Sequence, residues 1–596
     1  MSTVIAYPTG GQFLLEDTAP ADVFTPEDFD ETQRMIADTV KEFIERSVLP
    51  HREEFEFGKK VELGKTMLQE AGQAGLLSVD IPEAYGGMGS DKATTMLVTE
   101  IISWSGSFSC WHGAQTGIGT LPIVYFGTKE QKEKYLPKLA TGELVSAYAL
   151  SEPGAGTDAL AARTTAVLNE KKTHYLLSGT KQYITNAGLA DVFIVFAKVD
   201  GKQFTAFIVD RATPGLSIGP EERKMGIKGS STCAVILEDA KVPTENVLGE
   251  IGRGHVVAFN ILNVGRFKLG AGTVGGCKVA LEHAVPYVKQ RHQFGHPLSD
   301  FGLIRAKIAD IAARTFVAES MVYRTAGLMD RAIDTLDRDA EDFDCQIIEK
   351  VEEFTIECSM IKVFATESLA LAAEEGLQML GGYGFCEDYP LEQIYRDERI
   401  NRIFEGTNEI NRMLVPGMIL KKALKKELPF FAAAKQVAED LLGPPSFEEA
   451  GEPGFLEDET KLVKAMKQAC VAALGFAAQK HGGNIKDQQE VLSDAADMVM
   501  ETYACESGLL RTLKKASADG EDGARLMANM LTLYVHDAMD RVAVWGRNVL
   551  AQSAEGDELR TMMAGLRRLA KHVPVNRAKL HDEIAARIID AEHYVV

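Results

Sequence analysis

The sequence predicts a mainly α fold with an inserted β domain and an extra helical bundle behind it. Three observations carry that expectation. Apolar residues recur three or four apart over most of 26–147 and 246–426, the spacing of amphipathic helices. Between about 150 and 245 the texture changes to short runs of β-branched, aromatic and other apolar residues separated by turn signals. Helical periodicity then resumes beyond an acidic, Gly/Pro-containing stretch at Phe447–Thr460.

At 596 residues the chain exceeds what one core supports, and roughly three or four domains are expected. Its texture divides it into an N-terminal helical domain (1–147), a β domain (148–250), a helical bundle (251–426), a linker (427–460) and an additional helical domain (461–596). Hydrophobic content of 45% and charged content of 25% are those of a globular protein. A net charge of −22 without a basic stripe argues against a nucleic-acid partner. The eight cysteines include no CxxC and the twelve histidines no HExxH, so no metal site is expected. The first twenty residues lack a basic region followed by an apolar one, and no run approaches ~18 apolar residues. These features predict a cytoplasmic protein.

Taken in order, Glu31–Arg46 and Leu63–Ala74 read as helices, Glu83–Gly89 as a loop, and Thr94–Ser103 as a further helix. Gly106, Gly113, Gly117 and Gly119 leave room for a long ligand or for close packing. His174–Leu177, Asp191–Val199, Phe204–Asp210 and Cys233–Glu238 read as strands of a small antiparallel sandwich or barrel. Phe267–Arg291 is a long helix whose Gly270, Gly272, Gly275 and Gly276 suit close packing and whose Pro286 suits a kink. Its GAGTVGG lacks the Gly-Lys-Ser/Thr ending of a phosphate loop. In the last region Leu462, Met466, Cys470 and Leu474 mark one helix face. Leu531, Val535, Ala538, Val542, Trp545 and Val549 form a seam for packing on other helices. No catalytic constellation stands out there.

Five stretches hold residues suited to chemistry. The Pro153-Gly154-Ala155-Gly156 turn inside Tyr148–Asp158 frees backbone N–H groups for a polar cofactor edge, or simply joins two domains. In Lys181–Asn186, alternation along a strand puts Tyr183 and Thr185 on one face, suited to stacking on a flat ring or to an ordinary core. Arg291-His292-Gln293-Phe294-Gly295 offers a guanidinium for a pyrophosphate, or a helix cap. Gln378–Phe385 carries glycines that leave backbone open to close approach. Tyr395–Glu409 places Arg396, Arg399 and Arg402 on a charged helix face that Gly406 ends. Glu405 then lies at a helix end beside Phe404, where desolvation raises a carboxyl's pKa and fits it for proton abstraction. Alone, this stretch reads more simply as a solvated helix-terminal glutamate.

In this order, YALSEPGAGTD, KQYITN, RHQFG, QMLGGYGF and YRDERINRIFEGTNE closely resemble the acyl-CoA dehydrogenase flavoprotein family over residues 26–426. KYLPKLATGE, KMGIKGSSTCAV, VPTENVLGE, ILNVGRF and DFGLIRAKIADI are similar to its very-long-chain branch, which also carries a C-terminal helical extension. The resemblance implies an N-terminal helical domain, a central β-sandwich or barrel and a C-terminal four-helix bundle. It implies FAD, the α,β-dehydrogenation of saturated fatty acyl-CoA to trans-2-enoyl-CoA in β-oxidation, and electron-transfer flavoprotein as acceptor.

Residue roles follow from the same resemblance. Tyr148, Leu150, Ser151, Gly156 and Thr157 surround the flavin, with Thr157 also near the acyl-CoA. Tyr183, Ile184 and Thr185 pack on the isoalloxazine. Arg291, Gln293 and Phe294, with Gln378, Leu380, Gly381 and Gly382, form an FAD site shared across a subunit interface, which implies a homodimer or larger oligomer. Thr407 and Glu409 face the adenosine. Asn263 and Arg266 lie beside the CoA and the base, and Gly406 touches substrate. Glu405 is implied to take the α-proton while a hydride leaves Cβ for flavin N5; other branches carry the base at the position that is Gly265 here. Gln393 departs from the Lys or Arg of the second signature, and Gly302 from the Gln of shorter-chain branches. An acyl-CoA oxidase and a dehydrogenase-fold assembly protein stand as alternatives. Leu420–Leu442 is basic and amphipathic but interrupted by Pro429, and reads either as a peripheral membrane contact or as an inter-domain helix.

Overall fold

The computed structural model describes residues 7–58, 60–443 and 454–596. Helices α1 (Glu31–Phe43), α2 (Leu63–Gln73) and α3 (Lys92–Ile102) form where the periodicity placed them. The start of α1 is set by a reciprocal cap: Gln33 N–H donates to the Asp30 carboxylate, and Asp30 N–H to the Gln33 side chain.

Eight strands follow: β1 (Ser146–Ala149), β2 (Thr165–Leu168), β3 (His174–Thr185), β4 (Val192–Val199), β5 (Gln203–Asp210), β6 (Leu216–Glu221), β7 (Thr232–Pro243) and β8 (Val247–Leu248). They form one sheet in the order β6-β7-β3-β2-β4-β5-β8, with β1 also beside β4. Both β1 and β2 run parallel to β4, so the sheet is mixed and not the antiparallel domain expected. A parallel pair needs a long return. Residues 150–191 supply it by making a loop and the β2–β3 pair before β4 begins.

Strand β4 shows how the sheet is placed. Val192, Ile194 and Phe196 face a core shared with the long helices, whereas Phe193, Val195, Ala197 and Val199 face a second core shared with α1 and α2. Its uninterrupted apolar run is that of a strand covered on both faces.

Helix α4 (Gly254–Gln290) starts before the predicted Phe267 and runs through Pro286 without ending there. Beside it lie α5 (Gly302–Ile333) and α6 (Thr355–Leu380). The glycines of α4 let neighbours approach: a Cβ at Gly270 would fall 2.2 Å from Ile361 Cγ2 on α6, and one at Gly275 2.1 Å from Glu100 O on α3. Helices α7 (Pro390–Glu398) and α8 (Asn408–Leu424) complete this bundle.

The added domain contains α9 (Phe430–Leu442), α10 (Glu457–His481), α11 (Gln489–Gly523) and α12 (Arg525–Ala551). Helix α9 corrects the linker reading of 427–460: it packs on α10 with Phe430 buried, while residues 444–453 lie outside the described ones. Leu462, Met466, Cys470 and Leu474 are buried, as are Leu531, Val535, Ala538, Val542 and Val549, so the seam is core. The start of the chain straps onto this domain. Glu27 pairs with Arg511 at 2.6 Å, Asp28 with Lys514 at 2.5 Å, and Lys467 donates to Glu16 O at 2.9 Å. Among the described residues no helix is long and apolar enough to cross a membrane.

Candidate active site

A cavity of about 510 Å³ lies between α3, α4, α7 and the turn that carries Glu405. Helix α4 lines it from Gly265 to His283, a rise of about 27 Å at 1.5 Å per residue. Ile102, Trp104, Leu269 and Phe404 give it apolar walls, and Gly272 exposes backbone.

Glu405 sits at the Gly265 end, on a turn and not at a helix end as expected. A 3₁₀ segment, Arg399–Arg402, extends α7, and Thr407 then caps α8. Between them Glu405 and Gly406 are both left-handed, with φ of 57° and 80°. That conformation is costly for glutamate. Side chains from three helices hold the turn by its carbonyls. Arg266 Nε donates to Glu405 O at 3.1 Å, and Lys362 Nζ to Gly406 O at 2.8 Å. Asn411 Nδ2 donates to Gly406 O at 2.9 Å and to Thr407 O at 3.0 Å.

Glu405 is half-buried at the cavity wall, and its Oε2 is shielded from solvent with no hydrogen-bond partner among the described residues. Burial pushes its pKa up to about 7, against the opposing pull of Arg266 and Lys362. Burial brings the Lys362 amine down to about 7, with Glu405 resisting the change. A Cβ at Gly265 would lie 2.6 Å from Glu405 Oε2, so the carboxylate occupies the space a side chain there would need. The N–H of Glu405 finds no acceptor among the described residues.

The other expected site residues separate into groups. Tyr148 is buried on β1; burial, and after it the charge of Glu405, raises its phenol pKa. Leu150, Ile184 and Leu380 turn their side chains into the core, at 7%, 2% and 4% exposure. Ser151 accepts from Gln182 N–H through its carbonyl, and Gly156 and Thr157 stand exposed on the same loop. Buried Lys181 ties that loop to β3 by donating to Leu150 O at 3.2 Å and Glu152 Oε1 at 2.7 Å.

The pleat on which Tyr183 and Thr185 were expected to share a face is interrupted. A register shift between Lys181 and Ile184 breaks the pleat, and Tyr183 has φ of 58°. Tyr183 is nonetheless exposed, and Thr185 lines the cavity. Arg291, Gln293, Phe294, Gln378, Gly381 and Gly382 gather on the surface, with Arg291 5.8 Å from the Tyr383 ring. They do not line the Glu405 cavity. The Thr407 hydroxyl accepts from Ile410 N–H at 3.3 Å as a cap, and Glu409 is exposed. Asn263 and Arg266 are buried, 2.8 Å apart, with Asn263 also donating to Thr355 Oγ1 at 3.0 Å. Neither lines the cavity; they brace the base turn where substrate contact was expected.

Sequence reasoning missed Lys362, Asn411 and Lys268. Lys268 lines the cavity and donates to buried Asp80 at 2.7 Å. The available signal for Lys362 was a lone cation inside the buried apolar run Met360–Ala365. Gln393 accepts from Arg52 at 2.6 Å and donates to Asp397 at 3.1 Å, so a cation still stands near that departure, supplied by a distant residue.

A mixed sheet between helical layers, with a desolvated glutamate facing a long cavity, is the architecture of the acyl-CoA dehydrogenase fold. Family models divide the chain in the same way: the acyl-CoA dehydrogenase N-terminal domain matches 30–143, the middle domain 147–240, and two C-terminal-domain models 252–417 and 465–568. A probable acyl-CoA dehydrogenase of Bacillus subtilis (strain 168) is 49% identical over 589 residues, 98% of each chain. The very long-chain specific acyl-CoA dehydrogenase, mitochondrial, of Homo sapiens is 39% identical over 361 residues, 59% of this chain and 52% of that protein. A crystal structure of acyl-CoA dehydrogenase complexed with FAD from Bacillus anthracis matches with TM-score 0.96 and 48% identity, covering 99% of this chain and 100% of that one. The chain belongs to the acyl-CoA dehydrogenase family.

Proposed function

We propose that the protein is an FAD-dependent acyl-CoA dehydrogenase that converts a saturated fatty acyl-CoA to the trans-2-enoyl thioester and passes electrons to an electron-transfer flavoprotein. The observation that carries this reading is Glu405: a carboxyl shielded at one end of a long cavity, with its pKa raised to about 7. A base poised near neutrality suits abstraction of a weakly acidic α-proton.

The surrounding residues suit FAD. At Gly154, Gly156, Gly295, Gly381 and Gly382 an added Cβ would meet nothing within 4 Å, so backbone is open to a flat or phosphate-bearing ligand. Tyr183 offers an exposed ring and Thr185 a hydroxyl at the cavity wall. When bound, FAD supplies the hydride acceptor. The chain's part is to hold the thioester and move one proton. Glu405 Oε2 takes that proton, and the free Glu405 N–H is available to the thioester oxygen as charge develops there. The apolar wall excludes water from the exchange.

An extended chain advances about 1.2 Å per bond, so a cavity wall of about 27 Å supports a long acyl substrate of roughly twenty carbons. The Arg291–Gly382 surface lies apart from the Glu405 cavity in one chain, which supports reading it as a half-site completed by a second copy in a homodimer. Anaerobic titration with saturated acyl-CoAs of increasing length tests the reading. Bound flavin should bleach, long chains should bleach it at the lowest concentration, and a dye or electron-transfer flavoprotein should reoxidise it faster than oxygen does. Absence of bleaching with every acyl-CoA would overturn the assignment.

A further inference from the structure

We propose that the added helical domain helps to hold the catalytic turn, with Asp497 of α11 acting on Glu405 through Arg412, Glu367, Asn408 and Lys362. The inference rests on reading Glu405 as the base.

The chain of contacts is continuous from the turn outward. Lys362 Nζ donates to Gly406 O at 2.8 Å and to Asn408 Oδ1 at 2.7 Å. Asn408 Nδ2 donates to Glu367 Oε1 at 3.1 Å. Arg412 closes on Glu367 with both terminal nitrogens, at 2.8 and 3.0 Å, and donates from Nε to Asp497 Oδ1 at 2.8 Å. Lys362, Asn408 and Asp497 are all buried. Six side-chain and main-chain groups on α6, α8, α11 and the turn therefore form one polar path through a low-dielectric region, where such networks hold geometry tightly.

Glu367 alone would neutralise Arg412. The second carboxylate comes from the added domain and takes the Nε donor, which sets the rotation of α8 and, with it, Asn408 and Asn411. Asn411 and Lys362 hold the carbonyls of Gly406 and Thr407, and Asn408 fixes Lys362 by accepting from its Nζ. Lys362 is faced by Glu405, Arg266, Glu409 and Glu367; Glu405 by Arg266 and Lys362; Asp497 by Arg412, Glu367 and Glu501. Asp497 and Lys362 are positioning residues. They touch neither the cavity nor, through it, a substrate.

The test uses the FAD-loaded full chain and four variants: Lys362→Met, Asp497→Leu, Asp497→Asn and Val535→Ala. Asp497→Asn keeps an oxygen for Arg412 Nε. Val535→Ala loosens the core of the same domain away from the path. Two readouts are taken: hydrogen exchange of the 403–412 backbone, and the apparent pKa of Glu405 from the pH dependence of flavin bleaching. Lys362→Met and Asp497→Leu are expected to speed exchange in that segment roughly fivefold or more. In Lys362→Met the base pKa should rise by about one unit, because a cation that favours the carboxylate is gone. In Asp497→Leu it should rise by less, with kcat falling and KM nearly constant. The double variant should be no worse than Lys362→Met alone. Asp497→Asn should restore both readouts, and Val535→Ala should lower Tm without moving the base pKa.

A fall in base pKa in Asp497→Leu would mean that the residue acts only by its own charge, and would overturn the path. Wild-type exchange in that variant, or fully additive effects, would do the same. Exchange needs no substrate. If no acyl-CoA bleaches the wild type, the functional reading fails while the exchange result still decides the link.

Discussion

Replacing Gly265 by alanine adds one carbon to a helix that tolerates it. In a helix interior alanine is favoured over glycine by ~1 kcal/mol. The new Cβ would lie 2.6 Å from Glu405 Oε2, 2.9 Å from Cδ and 3.2 Å from Oε1. Comfortable contact needs about 3.5 Å, so the carboxyl must retreat by about 1 Å. The turn behind it is held by Arg266, Lys362 and Asn411 and cannot follow freely. Misplacing a reacting group by about 1 Å costs on the order of 100-fold, or about 2.7 kcal/mol in the barrier. Gly265→Ala should therefore keep or slightly raise Tm while turnover falls about 100-fold. Steady-state dye reduction, paired with thermal unfolding, measures both. Wild-type turnover in a folded Gly265→Ala enzyme would refute the claim that the carboxylate needs this space.

Glu405→Gln should keep FAD and acyl-CoA bound but abolish flavin bleaching. It also has a pH signature. The folded pKa of about 7 lies above the unfolded 4.5, so wild-type stability falls as pH rises from 4.5 to 7, by about 3 kcal/mol at 1.36 kcal/mol per unit. The variant should gain over wild type across that window and hold the gain above it; urea midpoints at pH 4 and pH 8 decide, and an equal difference at both would count against a buried base. Gly275→Ala should lose ~1–3 kcal/mol, because the added carbon meets Glu100 O at 2.1 Å and Ser103 Oγ at 2.2 Å; an unchanged Tm would contradict the close α3–α4 approach. Arg511→Met should cost ~1–3 kcal/mol, since it removes a charge-assisted partner 2.6 Å from Glu319, which keeps Lys278, and from Glu27, which is partly exposed. A shift of less than about 1 kcal/mol in denaturant melts would show that the pairing contributes little.

Helices were legible where burial is one-sided, as in α1, and strands where runs are short and apolar, as in β4. Pairing was not legible. Ser146 meets Val192 in parallel because of everything folded between them, which no local signal states. Glu405 was recognisable by its neighbours, but its conformation was not. The sequence marks Gly406 as the turn residue, yet Glu405 is left-handed as well because distant donors hold its carbonyl. The same tertiary override bends β3 at Tyr183. Pro429 was read as an interruption, and it is one: α8 ends at Leu424 and Pro429 stands just before α9. Lys362 and Asp497 have acceptors and donors 44 and 85 positions away, beyond any motif.

The strap formed by the first residues has a consequence for how the protein is made. Glu27 and its partner Arg511 are 484 positions apart. At about 5–20 residues per second, Arg511 leaves the ribosome roughly 25–100 s after Glu27. Through that interval residues 7–30 lack their partners on α11, although Gly10, Gly11 and Phe29 can already meet Glu353, Glu357 and Tyr323 of the bundle. The contacts of the strap with α11 are therefore closed late in a vectorially made protein. Whatever binds this segment before α11 is made delays that closure.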